Sequence, residues 1–309
     1  PSHYNRMELK GGTINMQGQG YITGLNRYIA PGEYYGGENQ PEKVVITQDT
    51  LAHNVLGLDG VNLNIAGKGN IIDFVAIELT AGKLAVAEGG ELTFRATTAT
   101  NETNTSKAEE LIAQKSSIVV KGGEISNQGT IDATKIANFA VEGGMVTNAG
   151  TLAAKTVTIK SGTVDNTGTL TADTLAIQGG TVNTVAGAKY AVTTTSLEKN
   201  GTLNLTALNS NQFTSLNGGP EAGKTQDDYA NDQFLVYGTL NLNGGALLAN
   251  GEALQKMKVG SGSTAATVNV NSDFAIADLA FGTKGTVKVA EDATLTVNDL
   301  YLTVNKDSD

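Results

Sequence analysis

Apolar and polar residues alternate along short stretches of this chain, and the stretches recur at a regular interval. Residues 122–131, 143–152 and 161–170 are near copies whose starts lie 21 and then 18 residues apart, and a weaker copy begins at Gly179. In an alignment of the copies, apolar residues fill the same columns, and Thr, Ser, Asp, Lys or Ala lie between them. This spacing of two is that of a β-strand, whereas a helix would place apolar residues three and four apart.

The repeat unit is too small to bury its own apolar face, so each copy must stack on its neighbours, as in a solenoid. In the clearest copy we predict strands over residues 163–166, 169–172 and 174–177. The corners between them are rich in Gly and Asn, which adopt left-handed backbone conformations at low cost. The pattern therefore predicts an all-β fold: a right-handed parallel β-helix (β-solenoid) with three short strands in each rung of roughly 18–21 residues.

One column of the repeat holds an amide side chain. Asn127, Asn148 and Asn166 occupy the same place in consecutive copies, and Thr184 takes that place in the next copy. Identical amides one rung apart can hydrogen-bond in a ladder at an inward-facing corner. We therefore predict a short structural Asn ladder at this column.

The strand pattern is uneven along the chain. Residues 1–45 repeat least, and we predict an N-terminal cap or irregular first rungs there. Residues 46–309 are predicted to form the parallel β-helix, and the whole chain one continuous domain. The strand pattern begins at Val44 and includes one long strand over residues 71–77.

Two stretches interrupt the alternation and are predicted to be loop insertions, at residues 97–117 and 207–233. In the first, Ser106 is followed three residues later by Glu109, a capping-box pattern that predicts a short helix. The second concentrates acidic residues.

Composition narrows the classes of function. The chain of 309 residues has 38 Gly, 4 Pro and no Cys, which excludes a disulfide framework and thiolate metal sites. The net charge of −10 disfavours nucleic acid and anionic membranes as partners, because phosphate binding needs clustered Lys and Arg. No segment is apolar enough to insert in a membrane as a helix, and we expect a mature fragment of a longer protein.

The unit Gly-Gly-x-Val-x-Asn-x-Gly-Thr-Leu-x-Ala occurs at residues 143–154 and, with Ser161 in first place, at 161–172. It resembles the repeats of bacterial type V secreted proteins, meaning autotransporter passengers and filamentous-haemagglutinin-like adhesins. The resemblance covers residues 118–206 most closely. It implies an extracellular or cell-surface β-helix, anchored to the outer membrane through a part outside this chain, that serves attachment to host or neighbouring cells, autoaggregation or biofilm formation.

The implied partners are host surface glycans or proteins, or other copies of the chain. Two other functions stay open: a surface-layer or fibre protein whose role is assembly itself, and a β-helical polysaccharide-degrading enzyme. Catalysis by a Ser or Cys nucleophile is disfavoured, because the only imidazoles, His3 and His53, have no nucleophile motif near them. We therefore predict a non-enzymatic protein with no catalytic residue and no cofactor.

Candidate binding residues lie where the repeat fails. Aromatic faces in the Tyr-rich start could stack on sugar rings, although packing within the start is the favoured interpretation. The acidic group in the second insertion could bind Ca²⁺, but its spacing matches no established calcium loop, so a solvated loop is favoured and no metal site is predicted. The candidates are Tyr21, Tyr28, Tyr34, Tyr35, Asp227, Asp228, Tyr229 and Asp232.

Overall fold

The computed structural model of the chain describes residues 5–23, 32–35, 43–46, 54–72, 74–96, 116–185, 187–208, 233–245, 248–249 and 252–302. Every regular element within these ranges is a β-strand. The helix predicted to begin at Ser106, and nearly all of the insertions predicted at 97–117 and 207–233, lie outside the described residues. The chain divides into two compact units, Pro1–Ala140 with Ala153–Lys155, and Val141–Leu152 with Thr156–Asp309.

The first unit contains three stacks of parallel strands and one antiparallel pair. Its strands are β1 (Asn5–Lys10), β2 (Thr13–Met16), β3 (Gln19–Thr23), β4 (Gly32–Tyr35), β5 (Lys43–Ile46), β6 (Asn54–Asp59), β7 (Val61–Ile65), β8 (Lys68–Ile72), β9 (Ala76–Leu79), β10 (Gly82–Val86), β11 (Glu91–Arg95), β12 (Ser117–Val120), β13 (Glu124–Asn127) and β14 (Thr130–Lys135). One stack runs β1–β6–β9–β12, the second β2–β7–β10–β13 and the third β3–β8–β11–β14. Strands β4 and β5 form the antiparallel pair.

Three consecutive strands therefore make one rung, and equivalent strands of successive rungs pair in parallel. This confirms the predicted parallel β-helix. The first rung is β1–β2–β3, which begins well before Val44, where the sequence pattern placed the first strand. The single strand predicted over residues 71–77 is wrong: the chain turns between β8 and β9, at a corner where Phe74 and Val75 are both buried.

Two strands, β15 (Asn138–Asn148) and β16 (Thr151–Ala154), carry residues of both units. The remaining strands belong to the second unit: β17 (Thr156–Asn166), β18 (Thr169–Ile177), β19 (Thr181–Thr184), β20 (Lys189–Leu197), β21 (Thr202–Leu208), β22 (Gln233–Val236), β23 (Thr239–Gly245), β24 (Leu248–Ala249), β25 (Glu252–Ala253), β26 (Lys256–Val259), β27 (Ala266–Val270), β28 (Phe274–Phe281), β29 (Gly285–Val289) and β30 (Leu295–Leu302).

The second unit repeats the same architecture. The second half of β17 pairs with β19, and the stack continues in parallel through β21, β23, β27 and β29. From β17 to β27 its inward-facing positions form an unbroken apolar column that is almost fully buried: Val164, Val182, Leu203, Leu240 and Val268. Burial of one such side chain contributes about 1.5–3 kcal/mol, so this column is a main source of stability for the unit.

Corner glycines of the second unit serve two different purposes. Gly144 and Gly162 have φ of +68° and +78°, a conformation that side chains with a Cβ rarely adopt. Gly168 has no such φ, but a Cβ added there would lie 2.2 Å from the carbonyl oxygen of Gly150. The prediction that corner glycines supply left-handed backbone is therefore right at the first kind of corner and wrong at the second, where close stacking of the backbone requires glycine.

Tyr190 is the largest polar side chain in the described core. It takes the place in β20 that Leu170 holds in β18, and it is fully buried. Burial raises the pKa of its hydroxyl to about 12, against the opposing effect of the polar groups of Thr184 and Asn166. Tyr190 is larger than Leu170 of the preceding rung, and the corner residue of the same rung, Thr184, is smaller than Asn166, with which it is in register.

The buried Tyr190 predicts a loss of stability in alkali. Because its pKa in the folded state is raised above that in the unfolded state, its contribution is complete below about pH 10 and is lost as the pH rises toward 12. Between pH 9 and pH 11, we expect the free energy of unfolding of the native protein to fall by about 1.4 kcal/mol more than that of Tyr190→Phe. Urea unfolding at both pH values measures this difference, and equal losses in the two proteins would contradict it.

Candidate functional site

A shallow recess lies on the outer surface of the first unit, across strands β7, β10 and β13. Outward positions of these strands are in register, with Asn64 beside Ala85 and Ala85 beside Ser126. Because Ala85 and Ser126 are small, the surface dips between larger neighbours. The recess has a volume of about 260 Å³ and is lined by Asn64, Ile65, Ala66, Lys83, Ala85, Val86, Ala87, Ser126 and Gln128.

The rim of the recess is polar and held in place. Lys83 Nζ contacts Glu124 Oε1 at 2.7 Å, and Asn64 Nδ2 donates to Asn15 Oδ1 at 2.8 Å. The ion pair is half-exposed, so it contributes little stability, but it positions an ammonium group at the rim. With the Ser126 hydroxyl and the Gln128 amide, the recess offers donors and acceptors to a small polar ligand. Its volume is just below the range typical of pockets for drug-sized molecules.

The candidate aromatic residues near the start of the chain are only partly described. Tyr21 lies on β3, is half-exposed at 53%, and accepts a hydrogen bond from Gln19 Nε2. The backbones of Tyr34 and Tyr35 lie in β4, opposite Val44 and Lys43 of β5. Tyr28 lies outside the described residues, as does the acidic group Asp227, Asp228, Tyr229 and Asp232.

The amide column lies in the interior, where the sequence placed it. Asn127 in the first unit and Asn148 and Asn166 in the second are at most 1% exposed. Within the second unit, Asn148 Nδ2 donates to Asn166 Oδ1 at 2.7 Å and to the carbonyl of Thr169 at 3.0 Å. Asn148 thus bonds both the next amide of the column and the corner backbone, which is a structural role and not a site open to a ligand.

A second amide ladder, on the outer surface of the second unit, was not recognised in the sequence. It follows the stack β17–β19–β21–β23–β27, in which each strand carries Thr-x-Asn or Thr-x-Asp. Asn183 Nδ2 donates to Asp165 Oδ1, and Asn204, Asn241 and Asn269 each donate to the amide oxygen one rung earlier, at 2.5–2.6 Å. The Thr-x-Asx motif can be read from the sequence, but its copies are unequally spaced, so the sequence alone did not indicate that they lie in one column.

Asp165 determines the direction of the outer ladder. An ionised carboxylate only accepts hydrogen bonds, so Asn183 must turn its NH₂ toward Asp165 and its oxygen toward Asn204. Each later asparagine has the same orientation, with its NH₂ group donating to the oxygen of the preceding amide. The aligned amides thus have their donor end at a carboxylate, and the next strand places Lys288 in register with Asn269 at the acceptor end.

The charged side chains of the described residues form ion pairs and are not grouped as metal ligands. Glu78 accepts hydrogen bonds from Lys121 at 2.7 Å and from Arg6 at 3.1 Å. Although partial burial acts to raise the pKa of Glu78, these bonds outweigh it and lower that pKa, so the carboxylate is ionised at neutral pH. Among the described residues no three His, Cys, Asp or Glu side chains are placed to hold a metal ion. The same residues form no helix that is long and apolar enough to cross a membrane.

The chain was compared with known protein families, with characterised proteins and with solved structures. No family matches it, and the comparisons with characterised proteins and with solved structures gave no significant match. The function must therefore be argued from the surface of the β-helix itself.

Proposed function

We propose that the chain is the β-helical part of a bacterial cell-surface or secreted adhesin, which attaches cells to host or neighbouring cells by binding surface glycans. The observation that carries the proposal is the recess across β7, β10 and β13. A rigid stack of strands holds a hydroxyl, two amides and an ammonium group around a floor of small side chains. Sugars are bound by such fixed donors and acceptors, because each hydroxyl of the ligand must replace its hydrogen bonds to water.

The type V repeat likeness at residues 143–154 and 161–172 supports a surface location. A solenoid also suits attachment, since stacked rungs give length and stiffness while the exposed positions can vary without loss of the core. The net charge of −10 favours uncharged or basic partners over other acidic polymers.

Filling the recess tests the proposal. Ser126→Tyr places a ring over the floor, and tyrosine is well tolerated in strands. Thr93→Tyr is the matched control, since Thr93 is a half-buried outward residue of β11 in the same unit. We expect native protein and Thr93→Tyr to bind a set of glycans on an array, and Ser126→Tyr to bind them at least about tenfold more weakly.

Beads coated with each protein should show the same order of adhesion to cultured cells. An array and cells that bind none of the proteins would overturn the adhesive function. Equal binding by Ser126→Tyr and the control would show that attachment does not use the recess.

A further inference from the structure

The outer ladder of the second unit belongs to a larger regular surface, which we name the Thr–Asn array. It consists of the Thr-x-Asx repeats that begin at Thr163, Thr181, Thr202, Thr239 and Thr267. In register, the threonines form one outward column and the Asx residues form the other. All of these side chains are half-buried, so the array is a low surface and not a set of projecting groups.

The array has unused hydrogen-bonding capacity at every rung. In the ladder Asn183, Asn204 and Asn241 each use one N–H and one lone pair of the carbonyl oxygen, so one donor and one acceptor position per amide are left over. The neighbouring threonine adds a hydroxyl that both donates and accepts. Charge occurs only at the ends, at Asp165 and at Lys288 of the following strand, so the middle of the array is neutral.

The dimensions of the array are set by the β-sheet. Rungs repeat at about 4.8 Å, and the two columns are separated by two residues along a strand, or about 6.6 Å. Five rungs therefore give a strip about 19 Å long and one polymer chain wide. The backbone and the ladder fix the side chains, so binding to them costs little conformational entropy.

We propose that the Thr–Asn array binds a neutral, extended polysaccharide whose chain lies along the stack of strands. A β-linked polysaccharide is extended, uncharged and rich in hydroxyls, and it advances by about one rung spacing with each sugar. One sugar can therefore form hydrogen bonds with one Thr–Asn pair, and the next sugar can bond to the pair one rung further along. This surface is distinct from the recess, and the inference does not rest on attachment to cells.

The test uses the purified chain and β-1,4-linked glucose oligomers of one to eight sugars. We expect affinity to rise with length and to level off at about five or six sugars, when the strip is filled. An α-linked glucose oligomer of equal length should bind at least about tenfold more weakly, because its coiled backbone loses the register with the rungs.

A triple variant removes the hydroxyls without changing shape. Thr181→Val, Thr202→Val and Thr239→Val together should weaken binding of the six-sugar oligomer by about tenfold or more, since three hydrogen bonds are lost and the amide ladder is kept. The matched control changes Thr156, Thr174 and Thr194 to Val, which form another outward threonine column in the same unit. The control should bind as the native protein does.

Three results would overturn the proposal: affinity independent of oligomer length, no binding of any oligomer, or equal loss in the two triple variants. Shaping of ice crystals by the native protein but not by the test variant, without oligomer binding, would assign the array to ordered water instead and would also overturn it.

Discussion

Replacing Gly168 by alanine should destabilise the protein by about 3 kcal/mol or more, although a single methyl group is added. The new Cβ would lie 2.2 Å from the carbonyl oxygen of Gly150 and 2.6 Å from backbone atoms of Ala149. Side chains can often move away from an added methyl, at a cost of about 1–3 kcal/mol. Here the obstacle is the backbone of the rung beneath, which is fixed by the hydrogen bonds from Thr167 and Gly168 to Asn148.

The matched control is Gly262→Ala, because no atom lies within 4 Å of a Cβ at Gly262 and its φ is not in the left-handed region. We expect the control to change the free energy of unfolding in urea by no more than about 0.5 kcal/mol. Similar values for the two variants would show that successive corners are not stacked as closely as the structure has them.

Much of the fold could be predicted because alternation reports strands directly. The bounds of β7 can be read from the sequence, since apolar alternation meets Gly60 before the strand and Gly67 after it, and β11 likewise begins directly after Gly90. The parallel register followed from the repeat itself, because identical columns can coincide only when equivalent strands lie side by side.

The strand predicted over residues 71–77 failed for a physical reason. Ile71, Phe74, Val75 and Ile77 are all buried, so apolar residues continue on both sides of the corner, and Asp73 is the single polar residue in the stretch. One Asp among buried apolar residues is a weak turn signal, because turns are normally recognised from Gly, Pro or a cluster of polar residues.

The surfaces proposed for binding were harder to predict than the core. Ala85 and Ser126 are neighbours in the recess although the predicted insertion at 97–117 separates them in the sequence. In the outer ladder, consecutive partners are 18, 21, 37 and 28 residues apart, so the column has no constant period. The core column could be predicted because its positions are apolar in every copy. The two surfaces could not, because their composition depends on which rungs lie next to each other.

The largest single effect of a polar substitution is expected at Asn148. Its Nδ2 donates at 2.7 Å to Asn166 Oδ1 and at 3.0 Å to the Thr169 carbonyl, and the residue is fully buried. Asn148→Asp keeps the shape but turns an acceptor toward two acceptors, so both of these hydrogen bonds are lost and a charge is buried beside the two oxygens. We expect the free energy of unfolding to fall by about 3–5 kcal/mol at pH 7, the range seen when a buried charge is left without its partner.

The same substitution should make stability depend on acidity. Burial beside two acceptors favours the protonated carboxyl and raises the pKa of the new residue above its value of about 3.9 in the unfolded chain. Its cost therefore grows as the pH rises above that value, so the variant should be closer to the native protein at pH 5 than at pH 7.

Asn243→Asp is the control for this change, because Asn243 is exposed and its Oδ1 accepts a hydrogen bond from Asn271, a role that a carboxylate keeps. Urea unfolding of both variants at pH 5 and pH 7 separates the two environments. If Asn148→Asp costs no more than Asn243→Asp, or costs the same at both pH values, then the amide of Asn148 does not donate its bonds inside the core.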